Sequence, residues 1–99
     1  GDLSGTDVVI GAVRSTVTAT TAAITGALDI PQISYWSTST DLRDPILFPR
    51  FMRTIPSSLA PASDLCSFWK DELGLATVAV LYMQTTYGRA YEEAAKDAC

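Results

Sequence analysis

The sequence predicts an α/β fold, with parallel sheets flanked by helices. Three observations carry this. Short β-branched runs alternate with helix-periodic segments. Each early run ends in a loop of Gly, Ser and Thr. The connections between runs are long enough to hold a helix, which parallel strands require.

The first expected strand is Val8-Val9-Ile10, ending at Gly11 and short and apolar enough to be buried on both faces. Ser15 or Thr16 is the expected N-cap of the next helix. There Val17, Thr20 or Thr21, Ile24 and Leu28 recur on one face. Five threonines make this a weak helix by propensity, so packing on a sheet must stabilise it. Asp29-Ile30-Pro31 ends it. Gln32 to Tyr35 forms the second strand, and Trp36 to Pro49 a long polar connection with a helical turn near Asp44 to Phe48.

Phe51 to Ile55, bounded by Pro49 and Pro56, is the third strand. Ser57 or Ser58 caps a helix with Leu59, Ala62, Cys66, Trp69 and Leu73 on one face, and Gly74 stops it. Thr77 to Tyr82 is a nearly continuous apolar run, expected as a fourth strand buried on both faces. A polar loop, Gln84 to Gly88, precedes a last helix over Arg89 to Ala98, with Ala90, Ala94 and Ala98 four apart.

Composition narrows the function classes. The 99 residues carry a net charge of −4 and 47% hydrophobic side chains, which is ordinary globular composition. The seven Lys and Arg residues form no run, so no nucleic-acid surface is expected. No apolar run approaches the roughly 20 residues of a membrane helix. The chain lacks an initial Met and ends within a helical pattern, which is expected of a piece of a larger protein. There is no His, which removes His-based triads and most catalytic zinc sites. No enzyme, metal site or cofactor is expected. Cys66 and Cys99 lack metal spacing. They are open to pairing with each other or with cysteines elsewhere, and the simpler reading of Cys66 is a small hydrophobe on a helix face.

The candidate site lies at the strand ends, where α/β proteins bind ligands. Ser15 and Thr16 stand where free N–H groups and the positive helix end suit a carboxylate or phosphate, and equally where a plain cap is expected. GAVRST lacks dinucleotide and Walker glycine spacing, so a nucleotide is not expected. Ser37 to Thr40 offers consecutive hydroxyls that suit both ends of a zwitterion, or simply a solvated loop. Asp41 and Asp44 are spaced as turn residues. Tyr87 follows the fourth run, placed either to close over a ligand or to start helix packing.

The segments VIGAVRSTV, DIPQISYWSTSTDLRD, FPRFMRTIPS and TTYGRAYEEA, in this order, resemble the ligand-binding region of class C G-protein-coupled receptors. This metabotropic glutamate and GABA-B branch has the type 1 periplasmic-binding-protein fold. The resemblance implies a fragment of a two-lobed clamshell, or Venus flytrap, with residues 1–55 in lobe 1 and 56–99 beginning lobe 2. The chain would cross a hinge near Pro56, and the fourth strand would belong to a second sheet. By resemblance, Ser15 holds a ligand carboxylate, with Thr16 beside it. Thr38 contacts an amino-acid head group, Trp36 and Ser37 line the same loop, and Tyr87 packs over the ligand from lobe 2.

Three departures qualify the match. Arg14 and Trp36 stand where relatives have small residues, and Ser58 stands where glutamate receptors have an acid that binds the ligand's ammonium. The implied function is an extracellular region of a membrane receptor sensing an amino acid or amino-acid-like molecule, signalling by lobe closure. A homo- or heterodimer through lobe 1 is implied as well. The alternative is a periplasmic solute-binding protein of an amino-acid transport system.

Overall fold

The computed structural model describes residues 3–99. Three strands, β1 (Val9–Ile10), β2 (Gln32–Ser34) and β3 (Phe51–Arg53), form one sheet in that order. Both pairings are parallel, with Val9 opposite Gln32 and Gln32 opposite Phe51. Helix α1 (Ser15–Ala27) makes the crossover from β1 to β2. The predicted α/β class and the parallel order of the first three strands are present. The strands are shorter than predicted, and Ile10 is 76% exposed, so β1 is not buried on both faces.

Helix α1 turns the opposite way from its apolar periodicity. Ser15, Thr18, Ala22 and Thr25 are buried, while Val17, Ile24 and Leu28 are each about half exposed or more. The reason is the surface it meets. β2 presents Gln32 and Ser34, both fully buried, and polar side chains need partners there. Gln32 supplies them: Thr25 donates to its Oε1 at 2.9 Å, and its Nε2 donates to Thr21 Oγ1 and to the Gly11 carbonyl, both at 2.8 Å. The threonines that weaken α1 as an isolated helix are what attach it to the sheet.

The N-cap of α1 is Arg14, with no side-chain bond, rather than Ser15 or Thr16. The helical turn expected at Asp44 to Phe48 is present as a single turn closed by the Phe48 N–H to Asp44 carbonyl bond at 2.9 Å, and a 3-10 turn over Thr40–Arg43, with Ser39 as its cap, precedes it. Asp44 still works as a turn residue: its Oδ1 accepts from the N–H groups of Ile46 and Leu47.

Helix α2 (Leu59–Ser67) continues as a π turn over Phe68–Glu72 and stops at Gly74, whose φ of +62° suits glycine. Only Ala62 and Cys66 of its predicted face are buried. Helix α3 (Thr86–Ala98) starts three residues earlier than predicted, because Thr85 caps it by accepting from the Gly88 N–H. A Cβ on Gly88 would fall on the Met83 carbonyl, so the chain doubles back only past a glycine.

The two helices meet through Ala62, Ala94 and Ala95, and the disulfide Cys66–Cys99 joins them with Cα atoms 5.6 Å apart. Cys66 is therefore both a buried apolar group and half of a crosslink, which its helical position alone did not distinguish.

The fourth strand is absent. Thr77 to Tyr82 has no regular secondary structure and pairs with no described segment, and its side chains stand exposed. Backbone N–H and C=O groups form a strand only when a ladder partner is present. The radius of gyration, 15.9 Å, exceeds the roughly 13 Å of a compact chain of this length, in keeping with this uncovered segment.

Candidate functional site

Two strand-end loops converge beside β2. The first runs from Gly11 to the start of α1, and the second from Tyr35 to the 3-10 turn. They touch where the Ser39 N–H donates to Ser15 Oγ at 3.2 Å. Ser15, Ser37, Thr38 and Ser39 are all buried at this junction, whereas Thr16 and Trp36 face outward.

The hydroxyls are not equivalent. Ser37 Oγ lies 2.6 Å from Thr18 Oγ1 and 3.1 Å from the carbonyls of Ala12 and Val13, so it is committed inward. Thr38 Oγ1 is buried and makes no hydrogen bond. The Tyr91 phenol lies close enough to favour its own ionised form through Thr38, but short of hydrogen-bond geometry. Burial, the larger influence, raises the Tyr91 pKa above its ordinary value.

Two further residues join this junction. Ser58 is the N-cap of α2, as its place before the helix predicts, and it is also the position at which the family resemblance puts a contact to the ligand's ammonium; its N–H donates to the Thr38 carbonyl at 2.9 Å, and its buried hydroxyl has no partner. Arg53, read only as a strand residue, donates from Nη1 to the carbonyls of Ser37 (3.0 Å) and Ser39 (2.8 Å), bracketing Thr38. Partial burial and then the nearby Arg43 lower its pKa. The junction thus carries a positive field from Arg53 and from the starts of α1 and α2.

Tyr87 sits on α3, its ring centroid 5.0 Å from that of Tyr91 one turn on. Both rings line a cavity of about 250 Å³ between α2, α3 and the Val80–Met83 segment. Ser15, Thr16, Trp36, Ser37 and Thr38 do not line it. The structure therefore brings together Ser15, Ser37 and Thr38 with Ser58 and Arg53, and reaches Tyr87 only through Tyr91. The one sequence signal for Tyr91 was its i+4 spacing from Tyr87. Among the described residues, no group of three His, Cys, Asp or Glu side chains is placed to hold a metal ion.

A parallel sheet with hydroxyl-rich loops converging at its strand ends is an α/β arrangement of the kind that holds ligands outside those ends. The chain belongs to the receptor family ligand binding region, which it matches over residues 2–99. It is also similar to a G-protein coupled receptor family C group 6 member A from Carassius auratus, with 36% identity over 85 residues. That match covers 86% of this chain and 10% of the relative, so the chain spans about a tenth of the relative's length. No helix among the described residues is long and apolar enough to cross a membrane.

Proposed function

We propose that this chain is part of the extracellular ligand-binding region of a membrane receptor coupled to G proteins, sensing an amino acid or amino-acid-like molecule. Residues 1–55 supply the lobe 1 half of the site and residues 56–99 begin lobe 2. The observation that carries this reading is the contact of the two strand-end loops through Ser15 and Ser39, beside the unpaired hydroxyls of Thr38 and Ser58. Buried hydroxyls without partners are costly, and a ligand that bonds to them recovers that cost.

In this reading the ligand carboxylate binds at Ser15 and the start of α1, and Thr38 and Ser58 bond to the rest of the head group. Tyr87 covers the ligand from α3. Lobe closure follows because a ligand touching both lobes favours the closed state by its differential affinity. The exposed Val17, Ile24 and Leu28 of α1 form the face that a second copy covers in a dimer.

The test is a thermal-shift screen of the complete ectodomain against the common L-amino acids and ω-amino acids, repeated with Ser15→Ala and Thr38→Ala. Each substitution is expected to weaken a stabilising ligand by about 1–3 kcal/mol. Undiminished binding in both variants would refute the site.

A further inference from the structure

The loop before α1 is held from behind. Ser34 Oγ donates to the Ala12 carbonyl at 2.7 Å. Ser37 Oγ reaches the same carbonyl and that of Val13, both at 3.1 Å, and Thr18 Oγ1 reaches Ala12 O at 3.2 Å. Thr18 and Ser37 also bond to each other, and Ser34 Oγ accepts the Ser37 N–H at 3.0 Å. The result is a closed cluster of three buried hydroxyls gripping two successive carbonyls.

This grip has a directional consequence. In a planar trans peptide the N–H points opposite to the C=O. Turning the Ala12 and Val13 carbonyls into the cluster turns the Val13 and Arg14 N–H groups away from it. The N–H groups of Val13 through Val17 donate to no described residue, since the first helical bond of α1 is from Thr18 N–H to Arg14 O. Consecutive free N–H groups followed by a helix start make an anion cradle. In the adjoining loop the buried Thr38 hydroxyl, beside the Tyr91 phenol, makes no hydrogen bond and leaves a second polar group of this junction open to a ligand.

We infer that Ser34, Ser37 and Thr18 are positioning residues that pre-set the Val13–Val17 backbone for a carboxylate. Ser37 thereby acts from behind the loop and does not touch the ligand. The inference rests on the proposed carboxylate site at Ser15, and adds to it the reason that site is rigid before ligand arrives. A donor array fixed in advance does not have to be ordered when the ligand binds, and that raises affinity.

The experiment uses the complete ectodomain and the amino acid giving the largest thermal shift in the screen. Affinity is measured by calorimetry for Ser37→Ala, Ser34→Ala and Ser37→Thr, with Thr25→Val as a control. Thr25 is a comparably buried hydroxyl that bonds to Gln32 Oε1 and to neither the Ala12 nor the Val13 carbonyl. Ser37→Ala and Ser34→Ala are expected to weaken binding about tenfold, which is the loss of roughly one net hydrogen bond's worth of preorganisation. Ser37→Thr, which keeps the hydroxyl, is expected to restore most of it. Thr25→Val should lower melting temperature as Ser37→Ala does, yet change affinity less than about twofold.

Equal affinity loss in the Thr25 control, or none in the serine variants while Ser15→Ala abolishes binding, overturns the positioning role and leaves the site intact. Binding unaffected by both Ser15→Ala and Thr38→Ala overturns the site itself, and the positioning role with it.

Discussion

The Thr25 hydroxyl donates to Gln32 Oε1 at 2.9 Å, with both side chains fully enclosed between α1 and β2. This pair fixes which face of α1 meets the sheet. Gln32→Leu would leave the Gly11 carbonyl and the Thr25 hydroxyl short of a partner each. We expect a loss of about 2–3 kcal/mol, read by denaturant unfolding of the complete ectodomain. Adding Thr25→Val should recover part of it, because two apolar groups then face each other; a fully additive double variant would contradict the coupling.

Thr38 and Ser58 carry the opposite prediction. Their hydroxyls are buried without partners, so Ser58→Ala and Thr38→Val should raise the stability of the ligand-free ectodomain by about 1 kcal/mol each. The same variants should shrink the ligand-induced thermal shift. A drop in ligand-free melting temperature would mean that the hydroxyls serve the fold instead.

The Cys66–Cys99 bond closes a loop across 33 positions and joins helices whose shared buried cluster is three alanines, Ala62, Ala94 and Ala95. Replacing both cysteines by serine is expected to cost about 3–4 kcal/mol by loop-closure entropy. Thermal unfolding with and without a dithiol measures it. The wild type should fall towards the variant on reduction, while the variant should not respond.

Tyr91 gives a pH dependence. Burial raises its folded-state pKa from 10.0, and Tyr87 adds to this. A raised pKa means that the folded state holds the proton more tightly than the unfolded state. The resulting stability is present below about pH 10 and lost as pH rises through the folded pKa. Tyr91→Phe should flatten this alkaline loss in a series of melting temperatures from about pH 8 to pH 11. An unchanged slope would place the effect on other groups.

Ile24, 51% exposed, lies at the centre of the uncovered apolar face of α1. Ile24→Asp should leave the unfolding free energy of the ectodomain monomer within about 0.5 kcal/mol, as surface changes do. Sedimentation should show a lower dimer fraction. A dimer of undiminished strength would move the contact elsewhere.

Much of the fold was legible in the residues, because helix breakers and helix stops act locally. Pro31 after α1 and Gly74 after the π turn each act through backbone sterics, which neighbours in space do not change. The hydroxyl loops were legible for the same reason: they follow strands, and strand ends are where such loops collect. What stayed hidden was the direction of side chains. The apolar spacing of Val17, Ile24 and Leu28 pointed one way, and the buried Gln32 on a neighbouring strand turned the helix the other way.

By itself, then, the sequence determined the α/β order, the parallel crossover and the hydroxyl-rich strand ends that mark Ser15 and Thr38. Only the tertiary structure decided that Ser37 faces inward, that Arg53 joins the junction, that Cys66 pairs with Cys99, and that Thr77 to Tyr82 stays unpaired. The physical reason is that hydrogen bonds and ladders need a partner at a set distance and direction. Those partners lie at 24 and 25 positions' separation for the Ser37 contacts with Val13 and Ala12, where spacing along the chain says nothing about geometry.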